Sequence, residues 1–442
     1  MTDRRRRVHF GIDYGTSNSK IVVRDFAAAG GERAHVVLQR NSERLSSSVA
    51  VVGDEILFGR RPTGQAKALE GATWYESIKM RAAGDIVGRA ERYFRGYVVP
   101  CPPGLRAVDL AALTVWWLLG EANQGAEQMV HRRKGEVLAP GMTMGIPMGF
   151  FTNLRLRSAF VGIARVAWIL FKQGQRLRDG RIRLSEARDL LSEAWGTVQK
   201  EPTSDEEVRL WVRSEAEAAL WWAFNSPQVA SGPYCKVDVG AGTTNSSVFR
   251  IVPGKKKMAF FGAASVPTGM DAVDEALAKW TQMETSEMRT LRGREEQLLS
   301  GRGASPACHG VFSDIQKALA EAWRQNGSLI RHAPLEQRAW LRDPKLFVLG
   351  GGSLVGQVRE AVSQRPAGLV GRFPVVTLES LPDVRLNGRL VPRHALPFVL
   401  VAYGLSVLAP PIPTVETPNE VPPMPESAPT LRQLSHEDIY AK

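Results

Sequence analysis

The sequence predicts an α/β fold with a proline-rich tail. Two observations predict it. Strand-like and helix-like runs alternate along the chain, the pattern of layered sheets and helices. Three of the strand-like runs end in glycine-rich turns, two of them with an aspartate just before the turn. The chain has 442 residues, which at roughly 150 residues per domain corresponds to about three units. Its 44% hydrophobic and 23% charged residues suffice for several buried cores and exclude a wholly disordered, collagen-like or coiled-coil chain.

Val8 to Asp13 is the first short apolar strand, with Ile21 to Arg24 and Val36 to Leu38 as sheet neighbours. Met142 to Ile146 is another strand, stopped by Pro147. Asn153 then suits a helix cap, and Leu156, Ala159, Phe160, Ile163, Val166, Ala167 and Leu170 recur at helical spacing. Lys172 to Thr203 reads as an added element, a basic stretch followed by an amphipathic helix with Leu184, Ala187, Leu191, Ala194 and Val198 on one face. That face suits core packing or a protein partner. Cys235 to Phe249 forms a second strand-turn-strand unit. Leu346 to Leu349 is a third strand, breaking at Gly350-Gly351-Gly352 before a helix, and Phe398 to Leu408 is the last apolar run. The 11 tryptophans include Trp116-Trp117 and Trp221-Trp222, which read as core.

From Ala409 the composition changes. Eight of the 27 prolines lie between Pro410 and Pro429, and Glu416, Glu420, Glu426, Glu437 and Asp438 outnumber Arg432 and Lys442. Proline removes backbone donors and favours extended chain, so 409–442 is expected to be an acidic, disordered linker. Its end, with Leu431, Leu434, Ile439 and Tyr440, reads either as a docking peptide or as a frayed terminus.

Cys101, Cys235 and Cys308 form no CxxC pair, which argues against a disulfide framework or zinc site and for a reducing, cytoplasmic setting. The start MTDRRRRVHF is not a secretory signal. The late apolar stretch Ala395 to Ala409 has 15 residues including Pro397 and is too short to span a membrane. Lysine and arginine number 57 against 45 acids, a net charge of +12. Such a surface favours anionic partners, nucleic acid among them. The clusters Arg4 to Arg7, Arg132 to Lys134, Lys172 to Arg183 and Lys255 to Lys257 read first as solvated faces and an exposed N-terminal arm, because no nucleic-acid motif accompanies them.

The chemistry lies in the three turns. Gly11-Ile12-Asp13-Tyr14-Gly15-Thr16-Ser17-Asn18-Ser19 delivers a carboxylate to a strand end and follows it with a tight turn and hydroxyls. Outward N–H groups and hydroxyls suit phosphate oxygens, and the carboxylate suits Mg²⁺ held through water. Val237 to Ser246 repeats the design with Asp238, Gly240, Ala241, Gly242, Thr243 and Thr244. Two such hairpins facing each other would clamp a triphosphate. Gly350, Gly351, Gly352 and Ser353 let a flat base or sugar approach the backbone and open a helix, whose N-terminus favours anions.

With these motifs the sequence resembles the actin, sugar-kinase and heat-shock-chaperone ATPases, and most of all the DnaK-type heat-shock chaperones. GIDYGTSNS is similar to their first phosphate loop, VDVGAGTTNSSVF to the second and VLGGGSL to the adenosine loop. IPMGFFTN, SEAEAAL, Gly269-Met270-Asp271 and Ala402-Tyr403-Gly404 follow in family order. The resemblance implies two lobes with ribonuclease-H-like cores: a first lobe over 1–230 with an insertion at about 172–203, a second over 231–385, and a helix over 386–408 returning to the first. It implies ATP or ADP with Mg²⁺ between them. Asp13 and Asp238 are then the magnesium-site carboxylates, and Thr16 and Ser17 the hydroxyls on the phosphates. Lys79 of SIKMR is similar to the lysine near the γ-phosphate. Glu215 of SEAEAAL is similar to the carboxylate that orients the attacking water, with Glu217 as its rival. Gly240, Gly242 and Thr243 resemble the second loop, and Gly351, Gly352 and Ser353 the adenosine contacts. Gly15, Asn18, Ala241, Thr244, Gly269 and Gly350 complete the implied nucleotide contacts.

The sequence departs from the family at Asn18, Ala241, Asn245 and Val355. Val355 replaces a cation over the base, a change worth roughly 1 kcal/mol. The chaperones' peptide-binding domain is replaced here by the acidic tail. The resulting expectation is an ATPase switch, slow without a protein partner that docks on the insertion or the tail. A non-hydrolysing scaffold or filament subunit is the alternative, and a small-molecule kinase using Asp271 ranks last.

Overall fold

The first hairpin starts from a strand longer than its apolar core. A computed structural model describes residues 4–38, 42, 44–59, 69, 71–88, 100–174, 177, 179–200, 209–225, 229–252, 257–285, 288, 304–325, 344–365, 371–376, 378, 381, 383–408 and 414–416. Its strands, in chain order, are β1 (Arg4–Asp13), β2 (Asn18–Asp25), β3 (Arg33–Val36), β4 (Leu45–Ser46), β5 (Val49–Val52), β6 (Glu55–Phe58), β7 (Thr73–Tyr75), β8 (Glu136–Ile146), β9 (Arg181–Arg183), β10 (Leu210–Ser214), β11 (Gly232–Val239), β12 (Thr244–Val252), β13 (Lys257–Val266), β14 (Lys345–Leu349), β15 (Val384–Leu386), β16 (Arg389–Leu390) and β17 (Thr414–Glu416). Together with the helices they make a mixed α/β architecture.

Two sheets share one plan. In the first, β1, β2 and β3 form an antiparallel meander, and β8 and β10 add in parallel beside β1 in the order β10-β8-β1-β2-β3-β15-β16, with β4 off β2. In the second, β11, β12 and β13 form the meander and β14 adds in parallel beside β11, in the order β14-β11-β12-β13-β17. A small sheet, β7-β5-β6-β9, lies beyond the first.

Three buried clusters hold these layers. One joins the first sheet to the helices Ala107–Met129, Leu154–Lys172 and Leu184–Lys200. Another joins the second sheet to Met270–Thr281, His309–Gln325 and Gly356–Ser363. The third is shared. It gathers Val22 and Val36 of the first sheet, Phe249 and Phe347 of the second, and the helices Glu215–Asn225 and Leu396–Leu405. The last two helices cross where neither has a bulky side chain. A Cβ on Gly404 would overlap the Ala218 carbonyl, and one on Gly11 of β1 would overlap that of Ala402.

Several expectations are met at this level. Asn153 caps Leu154–Lys172 by accepting the Leu156 N–H at 3.2 Å. Trp116, Trp117 and Trp222 are buried, and the three cysteines are unpaired. No helix among the described residues is long and apolar enough to cross a membrane.

Others are corrected. Arg4 to Arg7 is not a free arm but the start of β1, paired with β8. Arg6 turns to the Asp25 carboxylate in a two-pronged ion pair, 3.0 and 2.7 Å, while Arg5 and Arg7 face solvent. Alternation along a strand separates them. The apolar face of Leu184–Lys200, by contrast, meets the core-packing reading that its spacing favours over a partner site. Leu184, Ala187, Leu191 and Ala194 are buried in the first core. The tail, expected to be disordered, contributes β17, which pairs in parallel with Lys257–Ala259 of β13. Its Thr-Val pair favours extended chain between flanking prolines, and an open sheet edge supplies its partner. The rest of 409–442, residues 201–203 of the insertion, and Lys255 and Lys256 lie outside the described residues.

The crossing at Gly404 sets a test. Gly404→Ala should lower the free energy of unfolding by about 2–4 kcal/mol, because a methyl there must push two helix backbones apart. Urea unfolding measures it; an unchanged midpoint would show that the helices are not in close contact.

Candidate active site

Both carboxylate-bearing hairpins line one cleft. Asp13, at the end of β1, and Asp238, one residue before the end of β11, enter it from different sheets. The first turn is tight because Gly15 lets the chain fold back on the Asn18 carbonyl. Thr16, Ser17 and Asn18 present their side of the turn to the cleft.

The second turn is held from behind. The Gly240 N–H donates to the Thr243 carbonyl at 2.9 Å. The Gly240 and Ala241 carbonyls accept from the N–H groups of Met270 and Asp271 at 2.9 and 2.8 Å. These amides belong to the first turn of Met270–Thr281, where helical N–H groups lack partners of their own. Gly240, Ala241 and Thr243 are left facing the cleft.

The third turn follows β14. Gly350 has φ 76°, and a Cβ there would stand 2.5 Å from Asp238 Oδ1. A left-handed glycine therefore lets this turn close over the carboxylate. Gly350, Gly351, Leu354 and Val355 line the cleft together with the adjacent Phe398 and with Arg44, whose guanidinium lies 4.0 Å from the Phe398 ring centre.

Lys79 and Glu215 meet at the floor as a buried ion pair. Ser77, at φ 53° and ψ 36°, turns the chain so that Lys79 falls in the first turn of Ile78–Val87. Glu215 begins its helix directly after β10. Burial pushes the Glu215 carboxyl up from the ordinary range. Lys79 pulls it back, while the charges of Asp13 and Asp238 push the same way as burial.

Thirteen of the expected site residues are thus brought together: Asp13, Gly15, Thr16, Ser17, Asn18, Lys79, Glu215, Asp238, Gly240, Ala241, Thr243, Gly350 and Gly351. Five are not in the lining. Thr244 turns its hydroxyl to the Thr268 carbonyl at 2.7 Å. Gly269 lies behind the second turn, where a Cβ would crowd the Gly240 and Ala241 carbonyls. Gly242 is also outside the lining. Gly352 packs on Val239, and the Ser353 hydroxyl donates to the Gly350 carbonyl at 2.7 Å. The Ser353 N–H donates to the same carbonyl at 3.2 Å and closes a 3₁₀ turn over Gly351–Leu354, so the glycine run does not itself open an α-helix; Gly356–Ser363 starts after it. Glu217, the rival to Glu215, and Asp271 do not line the cleft either.

Sequence reasoning missed Lys20, Arg44, Phe150 and Phe398, which line the cleft, and Lys236 behind Asp238. Lys20 was within reach of a register argument. It is the cross-strand partner of Asp13, and its ammonium stands 3.0 Å from Asp13 Oδ2. Lys236 sits two residues before Asp238 on the same strand face and stands 3.5 Å from its carboxylate.

These pairs bear on the expected metal. Magnesium held through one or two carboxylates needs their negative charge available. Here each cleft carboxylate already has an ammonium against it. Among the described residues no group of three or more acidic, histidine or cysteine side chains gathers in a form that holds a metal ion. The donor set fits a polyanion better than a resident cation. Compared with protein-family models and with curated proteins, the chain matches none.

Glu217 supplies a measurable signature beside the site. Burial pushes its carboxyl from the ordinary 4.5 up to about 7, against the pull of Arg213. The folded protein then holds a proton that the unfolded chain releases, so this group makes stability fall as pH rises from 4.5 to about 7. Glu217→Gln should flatten that slope and leave the variant roughly 2–3 kcal/mol more stable than the parent above that range. Denaturant midpoints of both proteins across pH measure it; parallel curves would refute it.

Proposed function

We propose that the cleft binds ATP and ADP and that the protein is a heat-shock-chaperone-like ATPase, a nucleotide-driven conformational switch for a protein partner. The observation that carries this reading is the meeting of two carboxylate-bearing hairpins, one from each meander, in a single cleft closed by the Gly350-Gly351 turn. In this reading the two sheets are the ribonuclease-H-like cores of two actin-like lobes, and Leu396–Leu405 ties the second back to the first. Nucleotide between the hairpins draws the lobes together, and its conversion releases them.

The chemistry follows from charge and position. The hydroxyls of Thr16, Ser17 and Thr243 donate to phosphate oxygens, and the turns fix the chain of phosphates between them. The γ-phosphate attracts Lys79 away from Glu215. Glu215, raised by burial, then accepts a proton from the water that attacks the γ-phosphorus as the bond to ADP breaks. Gly350, Gly351, Leu354, Val355 and Phe398 offer a flat, largely apolar seat for the base. The protein partner docks on the polar surface of the insertion or on the tail.

A non-hydrolysing scaffold or filament subunit is the second reading, and one observation favours it: Glu215 is engaged by Lys79 rather than free to align a water. Phosphate release distinguishes them. The parent protein should release phosphate from ATP above background, and Glu215→Gln and Asp238→Ala should each lower kcat by about 10²-fold or more. Equal background rates in all three, with ATP still bound in calorimetry, would establish the scaffold. Absence of ATP and ADP binding would remove both readings.

A further inference from the structure

The cleft carries its own counter-charges. Asp13, Glu215 and Asp238 face it, and each stands against a separate lysine: Lys20 at 3.0 Å, Lys79 in the buried pair and Lys236 at 3.5 Å. Lys20 is placed by hairpin register, directly across from Asp13. Lys236 is fixed by burial, its side chain only 2% exposed. Arg44 adds a further cation to the lining.

We infer that Lys20 and Lys79 neutralise the polyphosphate directly while Lys236 holds the Asp238 charge from behind, so that nucleotide binds this cleft without a metal ion. The inference rests on the nucleotide reading above. A buried ammonium needs an anion beside it. If Asp238 turned its charge to a divalent cation, Lys236 would be left facing a like charge at close range in a poorly solvated site. The same holds for Lys20 if Asp13 did so. A polyphosphate meets the opposite situation. Lys20 and Lys79 each exchange a carboxylate oxygen for a phosphate oxygen and remain paired throughout, Lys236 keeps Asp238, and charge-assisted bonds of this kind are the strong ones. Asp13 and Glu215 hold Lys20 and Lys79 in place at the cleft, which lowers the cost of ordering those flexible side chains when the anion arrives.

Calorimetric titration of the full-length protein with ATP and with ADP tests this, once in excess magnesium chloride and once in excess EDTA. The Kd values in the two conditions should agree within about fivefold. Lys20→Met should weaken ATP binding in EDTA by about fivefold or more, and Lys20→Arg should restore most of it. A loss of about fivefold or more on adding EDTA to the unmutated protein would overturn the inference and leave the nucleotide reading standing. Lys20→Met binding ATP in EDTA as the parent does would overturn it too. Binding in neither condition would overturn the nucleotide reading itself. The EDTA comparison uses no variant, so it decides even if Lys20→Met does not fold.

Discussion

The close approach of the Leu396–Leu405 and Glu215–Asn225 helices is the contact on which the remaining architecture depends. Gly404 gives way to the Ala218 carbonyl and Gly11 to that of Ala402, so three backbones come together without intervening side chains. The helix pair sits in the one buried cluster that draws residues from both large sheets. Through it the end of β1 and the end of β11 face a common space. Asp13 and Asp238 belong to different hairpins 225 positions apart in the chain, and only this junction makes them neighbours of one cleft.

How much of this was legible varied with the kind of interaction. Strand ends marked by aspartate, glycine and hydroxyl residues were readable because a turn declares itself in a few adjacent residues. The hairpins at Asp13 and Asp238 fall where those signals place them. What a hydroxyl does there was not readable. Thr243 and Thr244 are neighbours in sequence, yet one lines the cleft and the other caps the Thr268 carbonyl. Strand alternation decides between them, and its phase depends on the pairing register. Arg6 illustrates the same limit, since its partner Asp25 lies across β1 and β2 rather than along the chain. Arg44 and Phe398 meet over more than 350 positions, and no local pattern announces such a contact.

The cleft differs from a simple acidic metal cradle in the way its charges are matched. Each of its three carboxylates is paired with a lysine, Lys20 and Lys79 in the lining and Lys236 behind Asp238, so little net field remains. Glu215 takes part twice, as the anchor of Lys79 and as a buried carboxyl with an elevated affinity for protons.

The strand β17 has a consequence for solubility. A sheet ends in a row of unmatched amide and carbonyl groups, and a second chain can add to it as readily as the first chain's own tail. Along β13, Thr414–Glu416 pairs with Lys257–Ala259, while Gly262 lies against the Ala322 carbonyl and the Ala263 N–H donates to Gln325 Oε1 at 3.2 Å. The margin of the second sheet is thereby sealed by one short tail segment and one helix. Removing Thr414–Glu416 would expose the Lys257–Ala259 part of that margin as a template for polymerisation, so this short pairing guards against unwanted self-association.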